Sequence, residues 1–202
     1  MARELRPDFE GALHHVFSRG NRRQLIAEEP LDYRFLLWLV ERAVVRFEWE
    51  VLAYCVLPNH YHFLIRTPKA GLSRGMQLVN GRYAQTFNQG RSLDGHLFQG
   101  RFGSRLVEFE GHAIWLIRYI ARNPVEAGLV GGPAAWAWSS YAALRRGMAP
   151  SWLAHEAVLE LWGGGEQAAV DYERLILDED GPDPPSHVQG LTPDRANGDV
   201  RR

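Results

Sequence analysis

A short turn leads directly into an alternating strand in the stretch Leu57-Pro58-Asn59-His60-Tyr61-His62-Phe63-Leu64-Ile65. The Pro58-Asn59 step is typical of a tight turn between two strands. Side chains alternate across an extended chain, so His60 and His62 point to one face and Tyr61 points to the other. The preceding residues, 51–57, are almost all apolar and predict a buried partner strand. The stretch therefore predicts a hairpin that carries two imidazoles on one face.

The elements on either side of this hairpin predict an α+β fold. Asp32 is expected to cap the first helix, and the third helix is expected to end at residue 122 or 123, because Pro124 disfavours a helical residue before it. The strands are predicted at 12–19, 51–57, 60–67 and 103–108, and the helices at 33–46, at 74–88 and from 112 to the end given above. The order β-α-β-β-α-β-α begins with the elements of the ferredoxin-like split βαβ unit and its antiparallel sheet.

Length and composition predict one main domain with an appendage. The 202 residues contain no apolar run long enough to cross a membrane, and the N-terminus lacks the apolar core of a signal peptide. Cys55 is the sole cysteine, which excludes an internal disulfide and a cysteine-based zinc site. We expect a cytoplasmic protein with a domain at 8–145, a small helical extension at 146–177 and a disordered tail at 178–202.

The charge is distributed unevenly along the chain. Residues 1–150 hold 19 Lys and Arg against 13 Asp and Glu, whereas residues 151–202 hold 4 against 11. Lys69 is the one lysine, so nearly all of the positive charge is arginine. Arginine's planar fork suits phosphate, although a GC-rich genome also favours this residue. The charge pattern indicates phosphate binding by the first 150 residues.

The two histidines are candidate metal ligands. Imidazole binds several transition metals, and a two-histidine shell leaves positions for water and a phosphate oxygen. The alternative is that one histidine belongs to the core and the other faces solvent. The spacing of His60 and His62 alone does not decide between these interpretations.

A second cluster combines a candidate nucleophile with a further candidate ligand. Tyr119 and Asn123 are four residues apart, so they share one face of a helix. The alternative is that Tyr119 belongs to the core and Asn123 ends the helix. Arg118 and Arg122 flank the tyrosine and would favour a phenolate, but they could equally form a solvated face. Tyr83 is a second candidate nucleophile, for which packing or a DNA contact is the alternative role.

These residues resemble a known family in several separated motifs. Leu57–His62 resembles the His-hydrophobic-His (HUH) motif of single-strand DNA transposases, and the segment from Tyr119 to Val130 resembles the tyrosine-bearing helix of the REP-associated, IS200-like tyrosine transposases. Further similarities lie at Arg19-Gly20-Asn21, in Gly95–Phe102 and at Trp138-Ser139-Ser140-Tyr141. The resemblance covers about residues 8–145.

The resemblance implies a fold, a reaction and the residues that carry it. The fold would be ferredoxin-like. His60, His62 and Asn123 would bind Mg²⁺ or Mn²⁺, and Tyr119 would attack a phosphate of single-stranded DNA, leaving a 5′-phosphotyrosine and a free 3′-OH. The partner would be hairpin DNA, whose sequence stays open, as does the choice between monomer and homodimer. The candidate DNA contacts are Arg19, Arg22, Arg23, Arg66, Arg74, Arg101, Arg105, Arg118 and Arg122.

Two other functions are consistent with the same residues. A non-catalytic protein on this fold would bind hairpins without cutting them. A metal hydrolase would activate water at the histidine pair, but it lacks an obvious general base, since no Asp or Glu lies between Glu50 and Asp94.

Overall fold

The computed structural model describes residues 8–182 and shows a mixed α and β architecture. The strands are β1 (Ala12–Arg19), β2 (Glu50–Val56), β3 (His60–Thr67) and β4 (Gly103–Leu106). The helices are α1 (Pro30–Phe47), α2 (Leu72–Arg91), α3 (Glu110–Glu126), α4 (Ser140–Arg145), α5 (His155–Leu159) and α6 (Gly165–Leu177). The strands form one antiparallel sheet in the order β2-β3-β1-β4, which confirms the ferredoxin-like prediction. None of the helices among these residues is long and apolar enough to span a membrane.

The chain divides into two compact units. The first contains the described residues up to Val51 together with Val56–Val107, and the second contains Leu52–Cys55 and the chain from Glu108 onward. The grouping differs from the predicted division at residue 145, because α3 belongs with the C-terminal helices. Most of the predicted disordered tail, residues 183–202, lies outside the described residues.

The first unit buries one face of its sheet against helices. The Tyr61 hydroxyl, on the face opposite the two histidines, donates a 2.7 Å hydrogen bond to Asn80 Oδ1 of α2. Helix α1 packs against α2, where the ring of Phe35 stacks on Tyr83 with centroids 6.1 Å apart. Leu57 N–H donates to His60 O at 2.8 Å and closes the predicted tight turn. The sheet therefore has one face committed to α1 and α2, and the histidines lie on the other.

Helix α1 starts earlier than predicted. It begins at Pro30, whose fixed φ suits the first helical position, and Glu29 is the N-cap. Asp32 is the third residue of the helix, so it is not the N-cap residue as predicted, but it caps the helix start as the partner of Glu29 in a capping box. Its carboxylate accepts hydrogen bonds from the N–H groups of Glu28 and Glu29 at 2.8 and 3.0 Å, and from Arg91 Nη2 at 2.6 Å. Asp32 thereby links the start of α1 to the end of α2.

Helix α3 runs through Pro124 and ends at Glu126, so the prediction that it ends before the proline is wrong. Pro124 has no N–H to donate to the carbonyl four residues earlier, so the helix lacks this one hydrogen bond. The rest of the last turn forms without it. The end is closed by Gly128 at φ +70°, with Gly128 N–H donating to Val125 O and Leu129 N–H donating to Pro124 O, both at 2.9 Å. Residues 119 and 123 therefore lie on one continuous helix, with residue 123 in its last turn.

In the second unit, two serines attach a helix to strand residues. Ser140 Oγ accepts from Tyr54 N–H at 3.0 Å and donates to Tyr54 O at 3.2 Å, as a neighbouring strand would. Ser139 Oγ accepts from Ala142 N–H at 3.2 Å and caps α4. The Trp138–Tyr141 segment therefore has a structural role.

A buried histidine makes stability depend on pH. His14 is fully buried on β1, and burial lowers its pKa below the ordinary 6.5, against a smaller raising effect from Asp8. Folded His14 therefore stays neutral where the unfolded chain binds a proton, so the free energy of unfolding should fall as the pH drops below about 6.5. His14→Asn should make this fall shallower. Urea denaturation at several pH values between 7.5 and 5 tests this, and parallel curves for the two proteins would contradict it.

Candidate active site

The register of β1 and β3 collects several functional side chains on one face of the sheet. Arg19 lies opposite His60 and Phe17 lies opposite His62 in the antiparallel pairing. Directly opposed residues share a face, as do residues two apart on one strand, so His15 lies on this face as well. The ring centroids of His60 and His62 are 5.1 Å apart, with planes at 86°. The predicted sharing of one face is therefore observed.

The tautomer of His60 is set by its neighbour. His60 Nδ1 lies 2.6 Å from Asn59 Oδ1, which can only accept a hydrogen bond. Nδ1 therefore carries the proton and donates it, and the Nε2 atom of the half-buried ring carries the lone pair. A carbonyl acceptor behind the ring is the usual support of a metal-ligating histidine.

His62 is buried and is held by another histidine. Its Nδ1 atom lies 2.9 Å from His15 Nε2, and the two rings stack with centroids 5.1 Å apart. Burial, followed by the charges of His60, His15 and Arg19, lowers the pKa of His62 well below its ordinary value. The imidazole is therefore neutral near pH 7, which is the form that binds a metal.

A glycine on the neighbouring strand makes room for the packing around these rings. The centroid of Phe17 lies 5.3 Å from that of His15 and 6.3 Å from that of His62. Gly103 of β4 lies directly opposite Phe17, and a Cβ at position 103 would clash with the Phe17 ring. Arg105, two residues further along β4, lies opposite His15 and is exposed. The histidine face thus combines rigid aromatic packing with an accessible cation.

The backbone at the end of β1 joins three of the sequence motifs. Gly20 N–H donates to Asn59 O and Asn21 N–H donates to Leu97 O, both at 2.8 Å. A side chain at Gly20 would clash with the carbonyl of Gln24, which explains the glycine in the Arg19-Gly20-Asn21 motif. The motif around Asn59 is therefore fixed by main-chain contacts as well as by the hairpin.

In the second unit, α3 carries the predicted nucleophile. Tyr119 is half-buried, and its ring stacks on Trp115 at 5.2 Å with planes 12° apart. Asn123 follows one turn later and is buried, with 4% of its surface exposed. The two predicted site residues thus share one face of a continuous helix.

The two arginines beside Tyr119 make structural contacts. Arg122 is 7% exposed, and its Nη1 donates to Ile176 O at 3.1 Å. Arg118 Nη2 donates to Asp178 O at 2.6 Å and to Glu179 O at 3.2 Å. Both guanidinium groups therefore serve carbonyls at the C-terminal end of α6. These contacts occupy both guanidinium groups, so Arg118 and Arg122 are weaker candidates for DNA contacts than the exposed arginines.

Tyr83 lies in the core of the first unit. It is 1% exposed, and its hydroxyl donates a 2.5 Å hydrogen bond to Ile26 O. Burial, followed by the nearby charge of Asp32, raises its pKa far above the ordinary value. A deprotonated attacking oxygen is therefore disfavoured at this position, and the packing alternative describes Tyr83.

The other predicted DNA-contacting arginines differ in exposure. Arg22 and Arg23 are exposed and both have positive φ, 52° and 62°, which is uncommon for non-glycine residues. Arg66 is bound to Glu50 Oε2 at 2.8 Å, so its charge is partly neutralised. Arg19 is half-buried, whereas Arg74, Arg101 and Arg105 are exposed.

Comparison with known proteins identifies the family. The family model described as IS200-like transposase matches residues 9–123, which is more than half of the chain. The chain belongs to the IS200-like transposase family. Members of this family are DNA-processing enzymes that act in transposition, so the suspected family membership is confirmed.

One solved structure shares the observed fold. A REP-associated tyrosine transposase bound to a REP hairpin is 22% identical and has a TM-score of 0.61, covering 74% of this chain and 89% of that chain. A candidate transposase from Deinococcus radiodurans is 18% identical, with a TM-score of 0.39, covering 59% of this chain and 95% of that chain. A search of curated proteins gave no match.

The donor set of this transposase fits a divalent cation with an incomplete protein shell. Asn59 accepts from His60 Nδ1, which leaves the lone pair of His60 on Nε2, and His62 Nε2 has a lone pair when its Nδ1 donates to His15. Among residues 8–182, no group of three or more His, Cys, Asp or Glu side chains could hold a metal. An ion bound by the two histidine nitrogens would therefore have further coordination positions for oxygen donors.

Sequence reasoning missed two residues of the site. Asn59 was interpreted only as a turn residue, although its position next to His60 allows a side-chain contact. His15 was interpreted only as part of a strand, and its contact with His62 depends on how β1 pairs with β3. Alternation along β1, combined with that register, would have placed His15 on the histidine face.

Proposed function

We propose that this IS200-like transposase is a metal-dependent, single-tyrosine endonuclease and strand transferase that nicks and rejoins single-stranded hairpin DNA. The observation that carries the proposal is the pair His60 and His62, each with its Nδ1 engaged by a neighbouring side chain. Such an arrangement prepares two Nε2 atoms for one ligand.

The proposed metal ligands are His60, His62 and Asn123, with Mg²⁺ or Mn²⁺ as the ion. When bound, the ion would polarise a phosphate oxygen and stabilise the negative charge that develops on it. The half-buried His60 can meet a ligand from solvent, whereas His62 is held rigidly by its neighbours. Asn123 would supply an amide oxygen, the donor type that suits these two ions.

Tyr119 is the proposed nucleophile. Its Oη attacks the phosphorus as the phenolic proton passes to solvent, and the bond from phosphorus to the 3′-oxygen breaks. The DNA 5′-phosphate is then esterified to tyrosine, and the departing oxygen takes a proton to become a 3′-OH. Attack by a 3′-OH on this ester restores the phosphodiester and the tyrosine, so no energy cofactor is consumed.

The proposed DNA contacts come from the exposed arginines of the first unit. Arg105 and the half-buried Arg19 lie on the histidine face, and the strained Arg22–Arg23 turn follows directly after Arg19. Arg74 and Arg101 are weaker candidates, as is Arg66 because of its pairing with Glu50. Hairpin DNA is proposed as the substrate because a protein of similar fold is bound to a REP hairpin.

The proposal is tested with labelled single-stranded hairpins from the DNA surrounding the gene. The protein is incubated with each oligonucleotide and Mn²⁺ or Mg²⁺, denatured and separated by size. We expect a nicked strand together with a labelled band at the mass of the protein–DNA adduct, both absent with EDTA. Cleavage without an adduct would instead indicate a metal hydrolase, and binding without cleavage would indicate a non-catalytic hairpin-binding protein.

A further inference from the structure

We propose that His15 is a positioning residue that fixes the tautomer and orientation of the metal ligand His62. The inference rests on the proposed function, because it concerns the ion that His60 and His62 would hold. His15 is fully buried on β1 and lies on the histidine face two residues from Phe17. It would act through His62, without touching the DNA.

A hydrogen bond joins the rings of His62 and His15. His62 Nδ1 and His15 Nε2 lie 2.9 Å apart, so one of these nitrogens donates a proton and the other accepts it when both rings are neutral. If His15 donates, His62 has its own proton on Nε2 and that atom cannot bind a metal. If His62 donates, its Nε2 has the lone pair. Metal binding through His62 Nε2 therefore requires His15 to be the acceptor.

Both rings are buried. His15 has no exposed surface and 6% of His62 is exposed, so bulk water cannot easily replace a lost partner of Nδ1. Stacking of the two rings at an interplanar angle of 23°, with Phe17 packed against both, restricts their rotation. The contact of Nδ1 with His15 and the packing around both rings therefore hold His62 in its orientation.

The support of His62 resembles that of His60. Its Nδ1 donates to Asn59 Oδ1 at 2.6 Å, so the two candidate ligands have the same kind of support from two different side chains. The acceptor for His60 is the preceding residue, Asn59, in the half-buried turn, whereas the proposed acceptor for His62 is 47 residues away on another strand. His15 thus completes a matched pair of supports, which is the arrangement expected for a two-histidine metal site.

The variants that test the proposal differ in whether residue 15 offers a hydrogen-bond acceptor to His62 Nδ1. His15→Phe keeps a ring but removes the acceptor, and His15→Gln offers its amide oxygen near the place of Nε2. His14→Phe is the matched control, because His14 is equally buried on the same strand but lies on the opposite face, where its Nδ1 is 3.3 Å from Ser104 Oγ. Thermal unfolding of all proteins establishes that each is folded.

The measurement is Mn²⁺ affinity in the absence of DNA, by titration with electron paramagnetic resonance detection of free ion. We expect His15→Phe to weaken binding by about 10- to 100-fold, His15→Gln to restore most of it, and His14→Phe to leave it unchanged. Equal Mn²⁺ affinity of the wild type and of folded His15→Phe would overturn the proposed role of His15 but not the metal site. Absence of Mn²⁺ binding by the wild type would overturn both this inference and the metal site of the proposed function.

Nitrogen-15 spectra of the wild-type imidazoles, recorded with saturating Mg²⁺, provide a readout that needs no variant. His62 should have its proton on Nδ1, and His15 should have an unprotonated Nε2 that accepts from it. A His62 ring protonated on Nε2 in the Mg²⁺ form would overturn the proposal even if His15→Phe fails to fold.

Discussion

Tyr119→Phe is expected to abolish the covalent protein–DNA adduct and to reduce nicking by at least about 10³-fold, because the attacking oxygen is removed. The ring itself remains, so its stacking on Trp115 at 5.2 Å and the course of α3 should be preserved. Hairpin affinity should change by less than about tenfold, since at most one hydrogen bond to DNA is lost. Adduct formation and hairpin binding are measured on the same preparation.

Tyr83→Phe is the matched control for this result. It also removes one phenolic hydroxyl, but that hydroxyl donates to Ile26 O inside the first unit. We expect a loss of about 1 kcal/mol in the free energy of unfolding and a normal yield of adduct. An adduct that persists in Tyr119→Phe and disappears in Tyr83→Phe would contradict our assignment of the nucleophile.

Local patterns in the sequence were sufficient for most of the fold. Alternation in residues 60–67 predicted β3 with its observed bounds, His60–Thr67, and the Pro58-Asn59 step predicted the turn before it. Helix ends were harder, because they depend on capping contacts. Asp32 resembles a cap in sequence, but Pro30 begins the helix two residues earlier, and the last turn of α3 tolerates Pro124.

Only those relations in the site that join residues close in sequence could be predicted. The shared face of His60 and His62 follows from period two, and the shared face of Tyr119 and Asn123 follows from helical spacing. The role of Arg122 could not be read in this way, because its partner, Ile176 O, is 54 residues away. Contacts of this kind depend on the packing of distant elements, which single-sequence patterns do not contain.

The same limit applies to the support of the histidines. Nothing around position 15 indicates that one member of the His14-His15 pair contacts His62 and that the other contacts Ser104. The two residues are adjacent and chemically identical, and the strand assigns them to opposite faces. Their different environments arise from the strand register and the packing on each face of the sheet.

His60→Ala and His62→Ala are each expected to remove metal-dependent nicking, by about 10²-fold or more, because either change leaves one imidazole to hold the ion. The two variants should differ in stability. His60 is half-buried and makes its bond to Asn59 at the turn, so His60→Ala should cost about 1 kcal/mol. His62 is packed against His15 and Phe17, so His62→Ala should cost about 2–4 kcal/mol. Nicking rates at several Mn²⁺ concentrations and urea denaturation separate the two effects.

The difference in stability makes His60→Ala the more informative variant. His96→Ala is its control, because His96 is exposed in the loop of the first unit and should affect neither nicking nor Mn²⁺ affinity. A weakened metal site can be filled at a higher Mn²⁺ concentration, so part of the nicking by His60→Ala should return at high Mn²⁺. Nicking by Tyr119→Phe should not recover at any Mn²⁺ concentration. Such a split would assign His60 to metal binding and Tyr119 to bond formation. Full nicking by folded His60→Ala at low Mn²⁺ would remove the histidine pair from the mechanism.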